Sequence, residues 1–203
     1  MRLRVWDLTI ERGGRRVIAG LSFEARGALI VTGPNGAGKT SLLRALAGFL
    51  PVEAGGFALE GGDGERTVGE QAHYLGHADG VKSALTAGEN LAFAAAILGG
   101  DSSRAAQLAA LHALGLAHVI DFPARLLSAG QRRRTALARL LVAKRPLWLL
   151  DEPITALDAA AQAALGDIMR AHVEGGGILV AAAHGALGLD GAQELKLGAE
   201  AAV

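Results

Sequence analysis

Residues Ala28-Leu29-Ile30-Val31-Thr32-Gly33-Pro34-Asn35-Gly36-Ala37-Gly38-Lys39-Thr40-Ser41-Leu42-Leu43-Arg44-Ala45-Leu46 decide how this chain folds. They read as an apolar strand, a loop of the form G-x-x-x-x-G-K-T, and a helix with apolar residues on one face. That strand–loop–helix setting is what makes the loop motif credible as a phosphate cradle. Gly33, Gly36 and Gly38 allow successive backbone N–H groups to turn toward one anion, and the helix contributes its positive end. Pro34, Asn35, Ala37 and Ser41 complete the cradle. Lys39 is placed to balance β- and γ-phosphates, and the Thr40 hydroxyl to hold Mg²⁺. A glycine-rich turn with no ligand is the bland alternative. The coincidence of Lys39, Thr40 and all the loop glycines weighs against it.

Working outward, 3–10 and 16–25 read as strands around the turn Arg12-Gly13-Gly14-Arg15. The helix after the loop is expected over 38–49, stopped by Pro51. Residues 52–76 are rich in glycine, with short strands at 57–60 and 71–76 that suit a small antiparallel sheet. Character changes over 83–127. Thr86-Ala87-Gly88-Glu89 is a capping box, and Leu91, Phe93, Ala94, Ile97 and Leu98 follow at helical spacing. A second helix is expected over 101–114, ended by Gly115. Ser128 then caps a helix to about 144, 147–150 is a buried strand, 158–173 a helix and 178–183 another buried strand. Buried strands alternating with helices indicate an α/β fold, with a parallel sheet covered on both faces.

The chain has 203 residues, enough for one domain with a small insertion, and 51% of them are hydrophobic. Lys+Arg and Asp+Glu number 20 each, for a net charge of zero. A polyanion held by bulk charge is therefore a poor fit, and no nucleic acid partner is expected. With no cysteine there is no disulfide or thiolate metal site. Residues Met1 to Asp7 lack an apolar core, so no secretory signal is expected. The apolar stretches at 91–98 and 178–183 fall short of the roughly 20 residues that span a bilayer, so any membrane role must come through a partner.

The second half carries further candidates. Leu147-Trp148-Leu149-Leu150 ends in Asp151-Glu152. An acid ending a central strand can meet the Mg²⁺ of a nucleotide at the neighbouring loop, a role that falls to Asp151. Glu152 is then placed to orient or deprotonate the attacking water. Strands often end in acids, so the pair alone is weak. Leu127-Ser128-Ala129-Gly130-Gln131 opens a helix whose end binds an anion or is simply capped by Ser128. Ala156-Leu157-Asp158 has the same two readings. His184, after the last buried strand, faces a γ-phosphate or merely ends the strand.

In this order the motifs resemble the ATP-binding cassette (ABC) family of P-loop NTPases, over nearly the whole chain. The family fold has a parallel core sheet, a small antiparallel β-subdomain and an inserted helical subdomain. By that resemblance, 1–76 and 128–203 form the nucleotide-binding core with its β-subdomain, and 77–127 the helical insertion. The resemblance implies ATP with Mg²⁺, and a second copy of the chain paired head to tail. Ser128, Ala129, Gly130 and Gln131 of one copy then meet ATP held on the other copy's loop, and His184 meets the γ-phosphate.

A narrower likeness rests on Tyr74-Leu75-Gly76-His77-Ala78-Asp79-Gly80-Val81-Lys82, Leu85-Thr86, Glu89-Asn90-Leu91, Arg132-Arg133-Arg134 and Arg145-Pro146-Leu147-Trp148. These are similar to the haem-exporter ATPases of bacterial cytochrome c maturation. They imply a translocase subunit on the cytoplasmic face of the inner membrane, bound to an integral membrane permease. Its work would be haem export or release of a haem-loaded chaperone. In related cassettes the membrane subunit docks near His77–Glu89. A soluble cassette ATPase serving iron–sulfur assembly shares every catalytic residue and stays open as the rival. A chromosome or DNA-repair ATPase needs a long coiled-coil arm, for which the interval between Lys39 and Gln131 leaves no room. A nucleotide-binding module without catalysis does not account for Lys39, Asp151, Glu152 and His184 together.

Three positions depart from the family. His77 stands where a glutamine usually touches Mg²⁺ or the attacking water; imidazole can accept the same hydrogen bond, or the ring fills a corner. Ala129 replaces a glycine. Arg12 stands where an aromatic usually stacks on adenine; a guanidinium also stacks, or it is a solvated turn residue.

Overall fold

A computed structural model of the chain describes residues 1–183, 185 and 187–198. Strands β1 (Arg2–Arg12) and β2 (Arg15–Ala25) form a hairpin. Its turn places Gly13 and Gly14 at φ 59° and 72°. Two left-handed residues in sequence give the turn twist that matches paired strands, which is why glycine occupies both positions. Strand β4 (Ala54–Glu60) joins the other edge of β1, giving the antiparallel order β2-β1-β4.

The second sheet is parallel. It contains β3 (Ala28–Thr32), β5 (Ala72–Leu75), β6 (Leu147–Asp151), β7 (Ile178–Ala182) and β8 (Gln193–Lys196), in the order β5-β6-β7-β3-β8. Every residue of β6 and β7 is buried, as the continuous apolar runs require of strands covered on both faces. Side chains alternate. Leu147, Leu149, Ile178, Val180, Leu29 and Val31 belong to one cluster with Leu3, Val5, Leu8 and Ile10 of β1 and with Leu42, Leu43 and Leu46 of α1 (Lys39–Leu46). On the opposite face Trp148 stacks on His172 of α5 (Ala159–Glu174), with ring centroids 3.9 Å apart. Because β3 and β6 run parallel, the loop after β3 and the acids after β6 leave the sheet at the same end, the C-terminal end of its strands.

The structure corrects the reading of 52–76. The strand expected at 71–76 does not join the antiparallel sheet. It is β5, and it pairs in parallel with β6, Ala72 opposite Leu147 and Leu75 opposite Leu150. Buried Gln71 redirects the chain: its side-chain amide donates to the carbonyls of Asp63 and Arg66 and accepts from the Asp63 N–H. The glycine-rich segment thus closes on itself, and the chain leaves one sheet and enters the other. Strand β8 had no counterpart in the sequence reading. Helix α1 stops at Leu46, earlier than expected, with Gly48 at φ 78°.

By packing, the described residues fall into two units, one from 1–76, 145–153 and the chain from Met169 on, the other from His77–Lys144 and Ile154–Ile168. In the second, α2 (Ala87–Leu98), α3 (Arg104–Ala113) and α4 (Ala129–Val142) pack on one another. The capping box of α2 forms as read: Thr86 Oγ1 accepts the Glu89 N–H at 3.1 Å, and Glu89 accepts the Thr86 N–H at 2.7 Å. A Cβ on Gly88 would meet Gln107 and Ile120 at 2.8 Å, so a glycine lets α2 seat closely. Helix α3 starts after its Ser103 cap rather than at 101, because Asp101 folds back to accept the Ser103 N–H. Among the described residues no helix is long and apolar enough to cross a membrane.

Candidate active site

The loop between β3 and α1 is shaped by its glycines. A Cβ on Gly33, at φ 137°, would collide with the carbonyl oxygen of Leu197, just past β8. On Gly38, at φ 97°, it would press on Val17 O and Ile18 at 3.1 Å. The hairpin that carries Arg12 is thus anchored beside the loop through β2. No side chain caps the N-terminus of α1, and no acid lies in its first turn. The helix therefore presents uncapped N–H donors and positive potential to whatever the loop encloses.

Lys39 is buried to 8% exposure, and its Nζ donates to the carbonyls of Gly33 at 2.7 Å and Pro34 at 3.0 Å. The ammonium is drawn back across the mouth of its own loop. Thr40 Oγ1 donates to Asp151 Oδ2 at 2.8 Å, and Asp151 is 1% exposed. A hydroxyl and a carboxylate brought together at the rim of an anion cradle are hard oxygen donors suited to Mg²⁺. Together with the N–H donors and Lys39 they fit a magnesium–nucleotide pair. Glu152 follows at φ 50°, a left-handed backbone rare for glutamate, with its N–H donating to Ala182 O at 2.9 Å. Such strain persists where surrounding contacts enforce it, often at reactive sites. Here it turns the chain sharply as it leaves β6. Tyr74, on neighbouring β5, has its hydroxyl pKa raised by burial and by the Asp151 charge.

The structure therefore brings Lys39, Thr40, Asp151 and Glu152 to the C-terminal end of the parallel strands. Arg12 is exposed, opposite Arg15 beside the Gly13-Gly14 turn that closes the hairpin. In the second unit, Ser128 forms a complete capping box with Gln131, each accepting the other's N–H, at 3.1 and 2.9 Å. Its cap geometry leaves Ser128 and Ala129 exposed. A Cβ on Gly130 would lie 3.2 Å from Ala156 O, where the backbone is left-handed at φ 65°. Asp158 caps α5 by accepting the Ala161 N–H at 2.8 Å. His77 is exposed at the start of this unit. His184 lies outside the described residues.

Two features escaped the sequence reading. Asn90 is buried and clamps Lys82, accepting its N–H at 2.7 Å and donating to its carbonyl at 3.1 Å. Asp79 pairs with buried Arg133. A polar residue within the apolar stripe of α2 was the available signal for Asn90; nothing in spacing pairs Asp79 with Arg133.

Residues 8–155 match the ABC transporter family. The chain is 55% identical over 203 residues to the cytochrome c biogenesis ATP-binding export protein CcmA of Nitrobacter winogradskyi, covering 99% of this chain and all of that one. It is 54% identical to the protein of the same name from Bradyrhizobium diazoefficiens, over 92% of this chain and 93% of that one. Among solved structures, a putative ABC transporter ATP-binding protein of Pyrococcus furiosus superposes with a TM-score of 0.83, covering 97% and 98% of the two chains at 20% identity, which speaks to the fold. The strands, the loop and the full-length likeness agree: the chain belongs to the ABC transporter family and is one of its ATP-binding, ATP-hydrolysing chains.

Proposed function

We propose that this chain is the ATP-hydrolysing subunit of a membrane complex in cytochrome c biogenesis, and that its work is haem export or release of a haem-loaded chaperone. The observation that carries the biological reading is the 55% identity, over the full length of both chains, to a cytochrome c biogenesis ATP-binding export protein. A membrane permease supplies the bilayer-crossing part, and the chain sits peripherally on the cytoplasmic face. Two copies pair head to tail around ATP.

In the chemical reading, the loop N–H groups and Lys39 bind the β- and γ-phosphates. Lys39 exchanges its contacts with Gly33 and Pro34 for phosphate oxygens, so binding replaces one set of oxygen acceptors by another. Thr40 and Asp151 would hold Mg²⁺, which would supply charge neutralisation on the phosphates. Glu152 orients water and takes its proton as the water oxygen bonds to the γ-phosphorus and ADP leaves. The protein's contribution is positioning and charge stabilisation. Ser128, engaged by its oxygen as a helix cap, retains its hydroxyl proton to donate to the γ-phosphate on the other copy. His184 meets the same group. His77 reports its occupancy to the helical unit, and Arg12 stacks loosely on adenine.

Glu152→Gln tests the chemistry. The amide keeps shape and loses the base, so hydrolysis should fall by about 10²–10⁴-fold while ATP remains bound. Size-exclusion chromatography with Mg-ATP should show a trapped dimer. Wild-type turnover in this variant would remove Glu152 from the role of base.

A further inference from the structure

The segment just beyond His77 grips the approach to the signature-bearing helix and then the helix itself. The first is backbone. Arg125 N–H donates to Ser83 O at 3.0 Å, Ala124 N–H to Leu85 O at 2.8 Å, Ala87 N–H to Phe122 O at 3.0 Å and Gly88 N–H to Ile120 O at 2.8 Å. Thr86 and Pro123 form an isolated antiparallel bridge within this ladder. The ladder holds the approach to Ser128. The second is a side-chain pair. Arg133, one turn into α4, is 5% exposed, and its Nη1 donates to Asp79 Oδ1 at 3.2 Å. Arg139 leans on the same corner, its guanidinium 3.1 Å from where a Cβ on Gly80 would stand. A buried guanidinium is tolerated only with compensating charge and hydrogen bonds, and Asp79 supplies a carboxylate at this corner. Burial lowers the Arg139 pKa and Asp79 opposes that shift, which fits one carboxylate serving two arginines.

We propose that Asp79 is a positioning residue for hydrolysis: through Arg133 it fixes α4, and so sets Ser128 against the ATP held by a second copy of the chain. The ladder is made of backbone and survives substitution. The Asp79–Arg133 pair is a side-chain link, removable by substitution, between the segment after His77 and the helix that acts in trans. This rests on the head-to-tail reading, and the experiment separates the two.

Asp79→Asn keeps size and removes the charge. Turnover should fall by about a hundredfold, the scale of an ångström-level misplacement away from the chemistry. Binding of a fluorescent ATP analogue should stay at the wild-type level, because Lys39 and the loop are untouched. Asp79→Glu should restore most of the turnover. The decisive measurement mixes Asp79→Asn with Lys39→Ala. In a head-to-tail dimer, one site then combines an intact loop from the first chain with an intact signature from the second. If Asp79 serves the partner's ATP, the mixture regains activity that neither chain has alone. A parallel mixture of Ser128→Arg with Lys39→Ala tests the arrangement itself. Recovery there without recovery for Asp79→Asn would overturn the proposal. Silence in both would overturn the head-to-tail reading instead. If Asp79→Asn fails to bind nucleotide, Arg133→Gln takes its place in the mixture with the same two outcomes.

Discussion

His172 shows how one residue ties stability to pH. Its ring stacks on Trp148 at 3.9 Å with 5° between planes, and its Nε2 lies 3.2 Å from Ile178 O. A carbonyl only accepts, so Nε2 carries the proton and the neutral ring leaves Nδ1 bare. A Cβ at Gly177 would overlap the ring, so glycine there makes the stack possible. Burial lowers the His172 pKa below its ordinary 6.5, outweighing the bond to Ile178. The unfolded chain therefore binds the proton more readily than the folded one, and stability rises with pH across that window. The contribution is complete above about pH 6.5 and is lost as pH falls toward the lower folded value. The midpoint of thermal unfolding should decline on acidification below pH 6.5, and His172→Phe, which keeps a ring on Trp148, should flatten part of that decline. An unchanged slope in the variant would place the pH dependence elsewhere. None of this was legible in the sequence. A histidine near the end of a helix carries no sign of the tryptophan it meets, just as Glu152 carries no sign of its left-handed backbone.

Elements were more readable than their neighbours. The strands feeding the loop and the acids were recognisable because they are buried on both faces and uniformly apolar. Helix α2 was recognisable because its cap is written locally, in Thr86 and Glu89. Strand β8 was not, since Gln193, Glu194 and Lys196 carry no apolar pattern, and backbone pairing with β3 alone makes it a strand. Strand β5 is legible as a strand but its sheet is not, because its partner β6 lies far along the chain and pairing is a long-range property. The loop with Lys39 and Thr40 and the acids ending β6 were legible as local features for the same reason as α2: each is written within a few residues. The Asp79–Arg133 pair was not, because it joins segments far apart in sequence. The local cap gives a direct test. Thr86→Ala removes the oxygen that accepts the Glu89 N–H and should cost about 1 kcal/mol. For a chain of this size that corresponds to a fall of about 2–4 °C in unfolding midpoint. An unchanged midpoint in calorimetry would show that the ladder to 120–125 alone holds the start of α2.

At the scale of the whole molecule, the question is how a chain without a bilayer-crossing helix among its described residues is tied to membrane work. Charge is not the answer, since the formal net charge is zero. The helical unit offers a different feature. Phe93 and Ile97, one turn apart on α2, are 45% and 66% exposed although both are large and apolar. Lys82 sits over the Phe93 ring, its Nζ 4.7 Å from the centroid. The opposite side of α2, with Leu91, Ala94 and Ala95, is buried. One face of α2 thus completes the unit's own packing, and the other leaves Phe93 and Ile97 exposed. Large apolar side chains on a rigid, capped helix lose little freedom on docking, which makes them suitable anchors for a membrane partner. They are remote in role from Lys39, Thr40, Asp151 and Glu152, so replacing them should spare the chemistry. Phe93→Ser with Ile97→Ser should leave the ATPase rate of the isolated chain unchanged. It should reduce affinity for the reconstituted membrane partner by about tenfold or more, the least expected when two anchor residues are lost. The measurement is ATPase rate against added partner in detergent or nanodiscs, where the variant should need a correspondingly higher partner concentration for half-maximal stimulation. A titration superimposable on wild type would move the docking surface away from this face of α2.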